Sequence, residues 1–399
     1  MHDTIGFILQ VGIILVVGEI LGVISQKLKM PKVLGFLLSG IVIGPSLFGV
    51  VQESEPIKVM AQIGVIFLMF MAGLETDTEK FKTAGVSSFL IAIGGIIVPL
   101  VLGAGVTYSF TGNLTESIFV GVILTATSVA ISVQTLNELG KLNTRAGVNI
   151  IGAAIIDDIL GIVILSVSIM IIAPGAGVSG VAGLGIIVAK ILIFIIISVC
   201  GLKFLPKFIE KIMENGDKDK KIETLILLTA GLTIIFSIFV EKKLGIAAIT
   251  GAYVIGLVIA LTKYKHTFDE KFSNVSIYLV SPIFFSSIGL AIDLKTLGFE
   301  VILPIIAISI AAIVGKIIGC AGAAKLYGLR NDESIQIGVG MISRGEVAII
   351  TASIGVRNQI ITAEMYPTLL VVIIVTTIIT PLLLKLVFSD DKKPLKASN

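Results

Sequence analysis

The chain has 399 residues, of which 55% are hydrophobic and 14% charged, with a mean hydropathy of +1.07. A soluble domain carries about 25% charged residues, so this composition excludes a soluble globular fold and implies a polytopic membrane protein. The net charge of +3 says nothing of nucleic acid, and no nucleic-acid partner is expected.

In chain order, the opening Met-His-Asp-Thr lacks the basic charge of a cleavable signal peptide, and His2 stands too far from any carboxylate cluster for a zinc site. Thirteen apolar segments follow, at 5–25, 32–51, 56–74, 85–110, 116–136, 146–172, 179–202, 222–241, 244–262, 272–291, 300–322, 333–355 and 365–388. Each has about the 18–25 residues needed to cross a hydrocarbon layer, so the expected fold is an all-α membrane protein of about 13 transmembrane helices. Turn and charge signals separate them at Gln26–Pro31, Ala173–Gly177 and Glu214–Lys221, the last splitting the chain near its middle. Cys200 and Cys320 fall inside apolar segments, where small buried thiols are expected rather than a disulfide. There is no Trp, which leaves Tyr and Phe to form the interfacial belt.

The basic residues orient the chain. Odd-numbered loops and the C-terminal end, with the segment ends that border them, hold 22 Lys and Arg, even-numbered loops counted the same way hold 5, and Lys190, Lys316 and Arg344 lie deeper inside segments. Basic loops stay cytoplasmic. The expectation is an N-terminus outside and a C-terminus inside, in a cell membrane.

Three echoes at offsets of 212–218 suggest an internal repeat. Gly35–Gly44 resembles Ala247–Gly256, Phe70–Asp77 resembles Ser286–Asp293, and the fifth segment shares Gly-Val and Val-Ala-Ile with the twelfth. The pairing is segment n with segment n+7, so the two copies should be inverted six-helix repeats joined by a linker helix, a common plan of secondary transporters. The fifth and twelfth segments are the candidate discontinuous helices. One holds Thr125-Ala-Thr-Ser128, whose hydroxyls compete for backbone bonds, and the other Gly338–Glu346, with three glycines and two charges. The alternative is two ordinary helices with small packing residues.

Five ionisable residues lie deep in apolar segments: Asp157, Asp158, Lys316, Arg344 and Glu346. Even one carboxylate at membrane depth costs roughly 2.5–3.5 kcal/mol on insertion scales. A pair is kept where protons, a cation, or both in turn are bound. Neighbouring helical positions point about 100° apart, so the two aspartates need not share a role. Lys316 is the natural ion-pair partner for one of them, because a buried lysine without an anion would lose its proton. Carboxylate and hydroxyl oxygens suit a hard monovalent cation such as Na⁺ or Li⁺, with K⁺ also open. Protons and the cation competing for one site would make exchange obligatory. Arg344 and Glu346 suit either a structural pair or a part in transport. Glu19 and Lys190 are single intramembrane charges at an interface or cavity. A sodium-coupled organic anion symporter, a channel and a sensor are the other classes weighed. With no P-loop, nucleophile triad or His-Glu-x-x-His motif, an enzyme or a resident cofactor is not expected.

Gln62-Ile-Gly through Gly73-Leu-Glu75, Thr125-Ala-Thr-Ser-Val129, Asp157-Asp158, Lys316 and Ser343-Arg-Gly-Glu-Val347 together resemble the sodium/proton exchanger superfamily, in particular the bacterial cation:proton antiporter-2 branch. The resemblance covers essentially the whole chain. It implies a homodimer with a scaffold (1–82 and 215–297), an ion-transporting core (83–173 and 298–388) that slides like an elevator, a linker (174–214) and a short tail (389–399). It implies crossing discontinuous helices, Asp158 as main ion ligand with Thr127 and Ser128 nearby, and Asp157 paired with Lys316. Members with Asn before the aspartate look electroneutral, so Asp157 here implies electrogenic exchange. Only a short basic tail follows the last segment, so the nucleotide-binding domain of potassium-efflux members is not expected in this chain. The role implied is Na⁺/H⁺ exchange in pH homeostasis.

Overall fold

Apolar runs bounded by proline, glycine and asparagine fold as helices. The computed structural model describes residues 2–172, 181–213, 218–275, 279–291, 293, 295, 298–362 and 364–389, and these contain no β-strand. In chain order the helices are α1 (His2–Lys27), α2 (Lys32–Ile43), α3 (Glu55–Glu75), α4 (Thr78–Thr83), α5 (Gly85–Thr111) and α6 (Leu114–Thr125). Then come α7 (Val129–Glu138), α8 (Arg145–Ile172), α9 (Val181–Met213), α10 (Lys218–Phe239), α11 (Ala248–Ala260) and α12 (Lys265–Val275). The chain finishes with α13 (Ser281–Leu290), α14 (Ile302–Lys316), α15 (Gly322–Leu326), α16 (Asn331–Gly340), α17 (Glu346–Arg357) and α18 (Met365–Ser389). A π-helical turn, Val240–Leu244, extends α10, and another, Ile317–Ala321, joins α14 to α15.

Among the described residues nine helical stretches are long and apolar enough to cross a membrane. The other four expected crossings are built differently. Segments 32–51 and 244–262 hold helices of only 12 and 13 residues, 272–291 holds the end of α12 and all of α13 on either side of 276–278, which lie outside the described residues, and 333–355 is shared between α16 and α17. Thirteen residues rise about 20 Å, short of the roughly 30 Å hydrocarbon layer. Hydropathy had counted apolar loop residues together with the helix: α2 stops at Gly44, while the apolar run goes on to Val51.

Local chemistry sets the helix ends. Asn113 Oδ1 accepts the N–H groups of Thr115 (3.0 Å) and Glu116 (3.2 Å) and so starts α6. Gly112, at φ +63°, ends α5 in the left-handed conformation that glycine adopts without strain. The first amides of α2 are satisfied from a distance: Glu138, the last residue of α7, accepts from Lys32 N–H and from Val33 N–H (3.1 Å).

Lipid is as apolar as leucine, so helices here associate by close packing rather than by escape from water. α3 lies against α11 with Gly73 facing Gly256. A Cβ on either would come within 2.2 Å of Tyr253 O or 2.1 Å of Phe70 O, so neither position admits a side chain. α5 lies on α14 and its π turn in the same way through Gly94 and Gly319, and it also packs on α6 and α8. α2 packs on α13, where Ser39 Oγ and Ser286 Oγ bond at 2.7 Å. Phe36, Met69, Ile131, Ile150, Tyr253 and Ile337 belong to one buried cluster drawn from both halves of the chain. Ile196, Leu227 and Ile235, on α9 and α10, are exposed on the outer surface. Cys200 also lies exposed on α9, contrary to the expectation of burial; Cys320 is buried, and both thiols are free. An apolar segment does not reveal which of its faces meets lipid.

Candidate functional site

Two interrupted helices meet at the centre of the site. α6 stops at Thr125, whose Oγ1 donates to Val122 O at 2.7 Å, and α7 resumes at Val129 after Ala126-Thr127-Ser128. α16 stops at Gly340, and α17 resumes at Glu346 after Met341–Gly345. Both breaks fall inside the motifs singled out for them. The extended stretches bond each other: Ser128 N–H donates to Ser343 O at 2.8 Å, and Ser343 Oγ donates to Ser128 O at 2.9 Å. Ser132, one turn into α7, donates to Gly340 O at 2.5 Å and lies 2.9 Å from Ser343 Oγ. Gly345 permits this approach, because a Cβ there would sit 2.6 Å from Ser128 Oγ.

Arg344 is fully buried beside the contact. Its guanidinium donates to the carbonyls of Ile342, Leu124 (2.7 Å) and Ala312 (3.2 Å), and Thr377 Oγ1 donates to Arg344 O. Leu124 is in the last turn of α6, whose carbonyls lack helical partners because the helix breaks. A buried cation at a helix C-terminus satisfies those carbonyls and balances the negative end of the helix dipole. Glu346 begins α17, and its side chain lies outside the described residues.

Asp157 and Asp158 sit on α8, 2% and 5% exposed. α8 packs against α6, α7 and α16, so it flanks both interrupted helices. Lys316 ends α14 just before the π turn, and its Nζ lies 3.1 Å from Asp157 Oδ2 in an ion pair with both side chains buried. π turns inside helices recur at functional positions. Gly95 on α5 makes room for this pair, since a Cβ there would stand 3.3 Å from Lys316 Nζ and 2.5 Å from Cys320 Sγ. Ala312, one turn before Lys316, carries one of the carbonyls that Arg344 holds. The carboxylate pair, the lysine and the two breaks thus form one connected group. Within it, Asp157 Oδ1 and Thr127 Oγ1 are buried oxygens with no hydrogen-bond partner among the described residues. Ser128 is half-buried beside Thr127. Hard oxygen donors of this kind fit an alkali cation better than a soft metal.

Some contacts were hidden from sequence reading. Glu19 is not a lone charge, because its Oε1 lies 2.8 Å from Nζ of Lys32, a residue counted with the loop charges. Lys190 is half-buried on α9. Asn149, two turns before the aspartates, accepts from Ser87 Oγ at 2.6 Å and ties α8 to α5. Ser132 and Thr377 were not singled out, since isolated hydroxyl residues in apolar segments usually bond their own helix.

A model described as "Sodium/hydrogen exchanger, transmembrane" matches residues 12–389. The chain belongs to this family. It is 37% identical over 396 residues to the "Na(+)/H(+)-K(+) antiporter GerN" of Bacillus cereus, with 98% of this chain and 99% of that one covered. The "Na(+)/H(+) antiporter" of Enterococcus hirae is 32% identical over 94% of this chain and 96% of its own length. The fold matches that of the sodium proton antiporter MjNhaP1 from Methanocaldococcus jannaschii at a TM-score of 0.66, with 19% identity and 98% of both chains covered. The sodium/hydrogen exchangers are transporters, not enzymes, and this member is a multi-pass membrane protein.

Proposed function

We propose that this exchanger-family chain moves Na⁺ (or Li⁺) and H⁺ in opposite directions across the cell membrane, with Asp158 as main cation and proton ligand. The observation that carries the reading is the buried Asp157-Asp158 pair beside two interrupted helices, with Lys316 committed to Asp157. A carboxylate oxygen holds either a proton or a cation, and competition between them couples the two fluxes. Thr127 and Ser128 lie in the break and add oxygen donors. Arg344 holds the carbonyls of the breaks in place, and Glu346 is the further carboxylate of this region.

Transport follows by alternating access. Facing the side of low proton concentration, the site releases H⁺ and takes the cation; facing the other side, it exchanges them back. Two carboxylates, one paired with a lysine that can part from it, allow more than one proton per cation, so exchange is electrogenic. Residues 83–173 and 298–388 form the moving core, supported by the packing of α5 on α6, α8 and α14. Residues 1–82 and 215–297 form the scaffold and dimer contact, supported by α3 on α11 and α2 on α13. Residues 174–214 are the linker helix and cytoplasmic loop between the inverted repeats; 173–180, 214–217 and the tail beyond 389 lie outside the described residues. The working unit is a homodimer in lipid, with the N-terminus outside and the C-terminus in the cytoplasm.

A mixed Na⁺/K⁺ selectivity is the second reading, favoured by the printed name of the Bacillus cereus relative. Everted vesicles assayed with Na⁺, Li⁺ and K⁺ in parallel test both: proton movement with Na⁺ and Li⁺ alone supports the first, and equal movement with K⁺ supports the second.

A further inference from the structure

The leading halves of the two interrupted helices open alike. One reads Glu116-Ser117-Ile118-x-x-Gly121-Val122 and the other Glu333-Ser334-Ile335-x-x-Gly338-Val339, an offset of 217 residues (333 minus 116). In both, the serine hydroxyl donates to the carbonyl four residues earlier, Ser117 to Asn113 at 2.6 Å and Ser334 to Arg330 at 2.8 Å. Each glutamate then reaches beyond the other interrupted helix. Glu116 Oε1 accepts the N–H and the Oγ1 hydroxyl of Thr362, both at 2.9 Å. Glu333 Oε2 lies 3.7 Å from Arg145 Nη1. Thr362 and Arg145 are also 217 residues apart (362 minus 145); one follows α17 and the other follows α7. Both repeats thus direct a glutamate from the first turn of one interrupted helix toward the chain beyond the other, through two hydrogen bonds at Glu116 and through a looser ion pair at Glu333, which also accepts the Arg330 N–H of its own helix at 3.0 Å.

We propose that Glu116 and Glu333 are repeat-related positioning residues that clasp the crossing from its two ends and keep the oxygens at Ala126–Ser128 in register with Asp158; this rests on the exchange reading above. α6 has 12 residues, a rod of about 18 Å. A slip at Glu116 is carried along that rod to the Leu124 carbonyl on Arg344 and to Thr127 just beyond. Glu116 is 3% exposed and bonded twice, whereas Glu333 and Arg145 keep 16% and 59% of their side chains exposed. The buried clasp is the stronger of the two, because exposed ion pairs contribute little. A simple helix-capping role would not require either glutamate to reach the other repeat.

The test is Na⁺-driven proton movement by the full-length protein in proteoliposomes, with Na⁺ concentration varied. Glu116→Ala is expected to raise the KM for Na⁺ by about fivefold with turnover held within about twofold, because placement of ligands is lost and not the ligands themselves. Glu116→Gln, whose amide oxygen accepts both bonds, should restore a KM near that of the original protein. Glu333→Ala should give a smaller rise. An unchanged KM in Glu116→Ala overturns the proposal, as does a loss confined to turnover that Gln fails to rescue. Should Glu116→Ala fail to fold, Thr362→Val removes one of the two donors, and an unchanged KM there is equally fatal. Absence of any proton movement by the unmodified protein defeats the exchange reading and this one with it; robust exchange with unmoved KM values defeats this one alone.

Discussion

Ser128 and Ser343 bond each other twice across 215 residues of chain, the amide of Ser128 to the Ser343 carbonyl at 2.8 Å and the Ser343 hydroxyl back to the Ser128 carbonyl at 2.9 Å. Two helices interrupted inside a membrane leave backbone groups that no water can satisfy. Here each break supplies partners for the other, and Arg344 takes up the carbonyls left at the end of α6. The irregular backbone is thereby held at a fixed place among helices that pack on α8, which carries the two buried aspartates of the proposed cation site.

Gly345 is the tight point of that contact. A methyl group there meets Ser128 Oγ at 2.6 Å and Ser128 Cβ at 2.8 Å, so Gly345→Ala should lower stability by about 1–3 kcal/mol through overpacking and slow cation-driven proton movement. Thermal melting in detergent checks the first effect. An unaltered melt would show that the breaks do not lie this close.

Lys316→Ala strands Asp157. Breaking a buried pair by removing one partner costs about 3–5 kcal/mol, so a clear fall in melting temperature is expected. The double variant Asp157→Asn/Lys316→Ala should recover part of it, since no charge is then left alone. Additive losses in that cycle would mean that the 3.1 Å pair contributes no coupling.

Arg344→Met leaves the carbonyls of Leu124 and Ala312 buried without donors, at about 1–3 kcal/mol for each group so orphaned. Arg344→Lys should rescue poorly, because a single ammonium cannot reproduce the fork that serves several carbonyls at once. A Lys variant with the original melt and transport rate would reduce the role of Arg344 to its charge.

Much of this arrangement was legible in the amino-acid order, and the rest was hidden for physical reasons. Thr125–Ser128 and Gly338–Glu346 flagged the breaks because hydroxyls and glycines weaken helices locally. Asp157-Asp158 stood out because charge in an apolar run is costly. The partners of Arg344 did not stand out: Leu124, Ala312 and Ile342 act through their carbonyls, and every residue has one. The short helices α2 and α11 were concealed by apolar loops that hydropathy reads as helix. The Glu19–Lys32 pair and the reach of Glu138 to the start of α2 depend on tertiary approach alone.

Currents recorded from proteoliposomes test the electrogenic part. Addition of Na⁺ should drive net charge movement, and Asp157→Asn should abolish or sharply reduce it. Turnover with no current in the unmodified protein would establish electroneutral exchange.

The most direct measurement compares Asp158→Asn with the unmodified protein in everted vesicles given Na⁺, Li⁺ or K⁺ across an imposed pH gradient. The account expects cation-driven proton release from the unmodified protein and none from the variant, with the variant still folded in the membrane. Undiminished exchange by Asp158→Asn, or sodium flux without any opposing flux of protons, would contradict it.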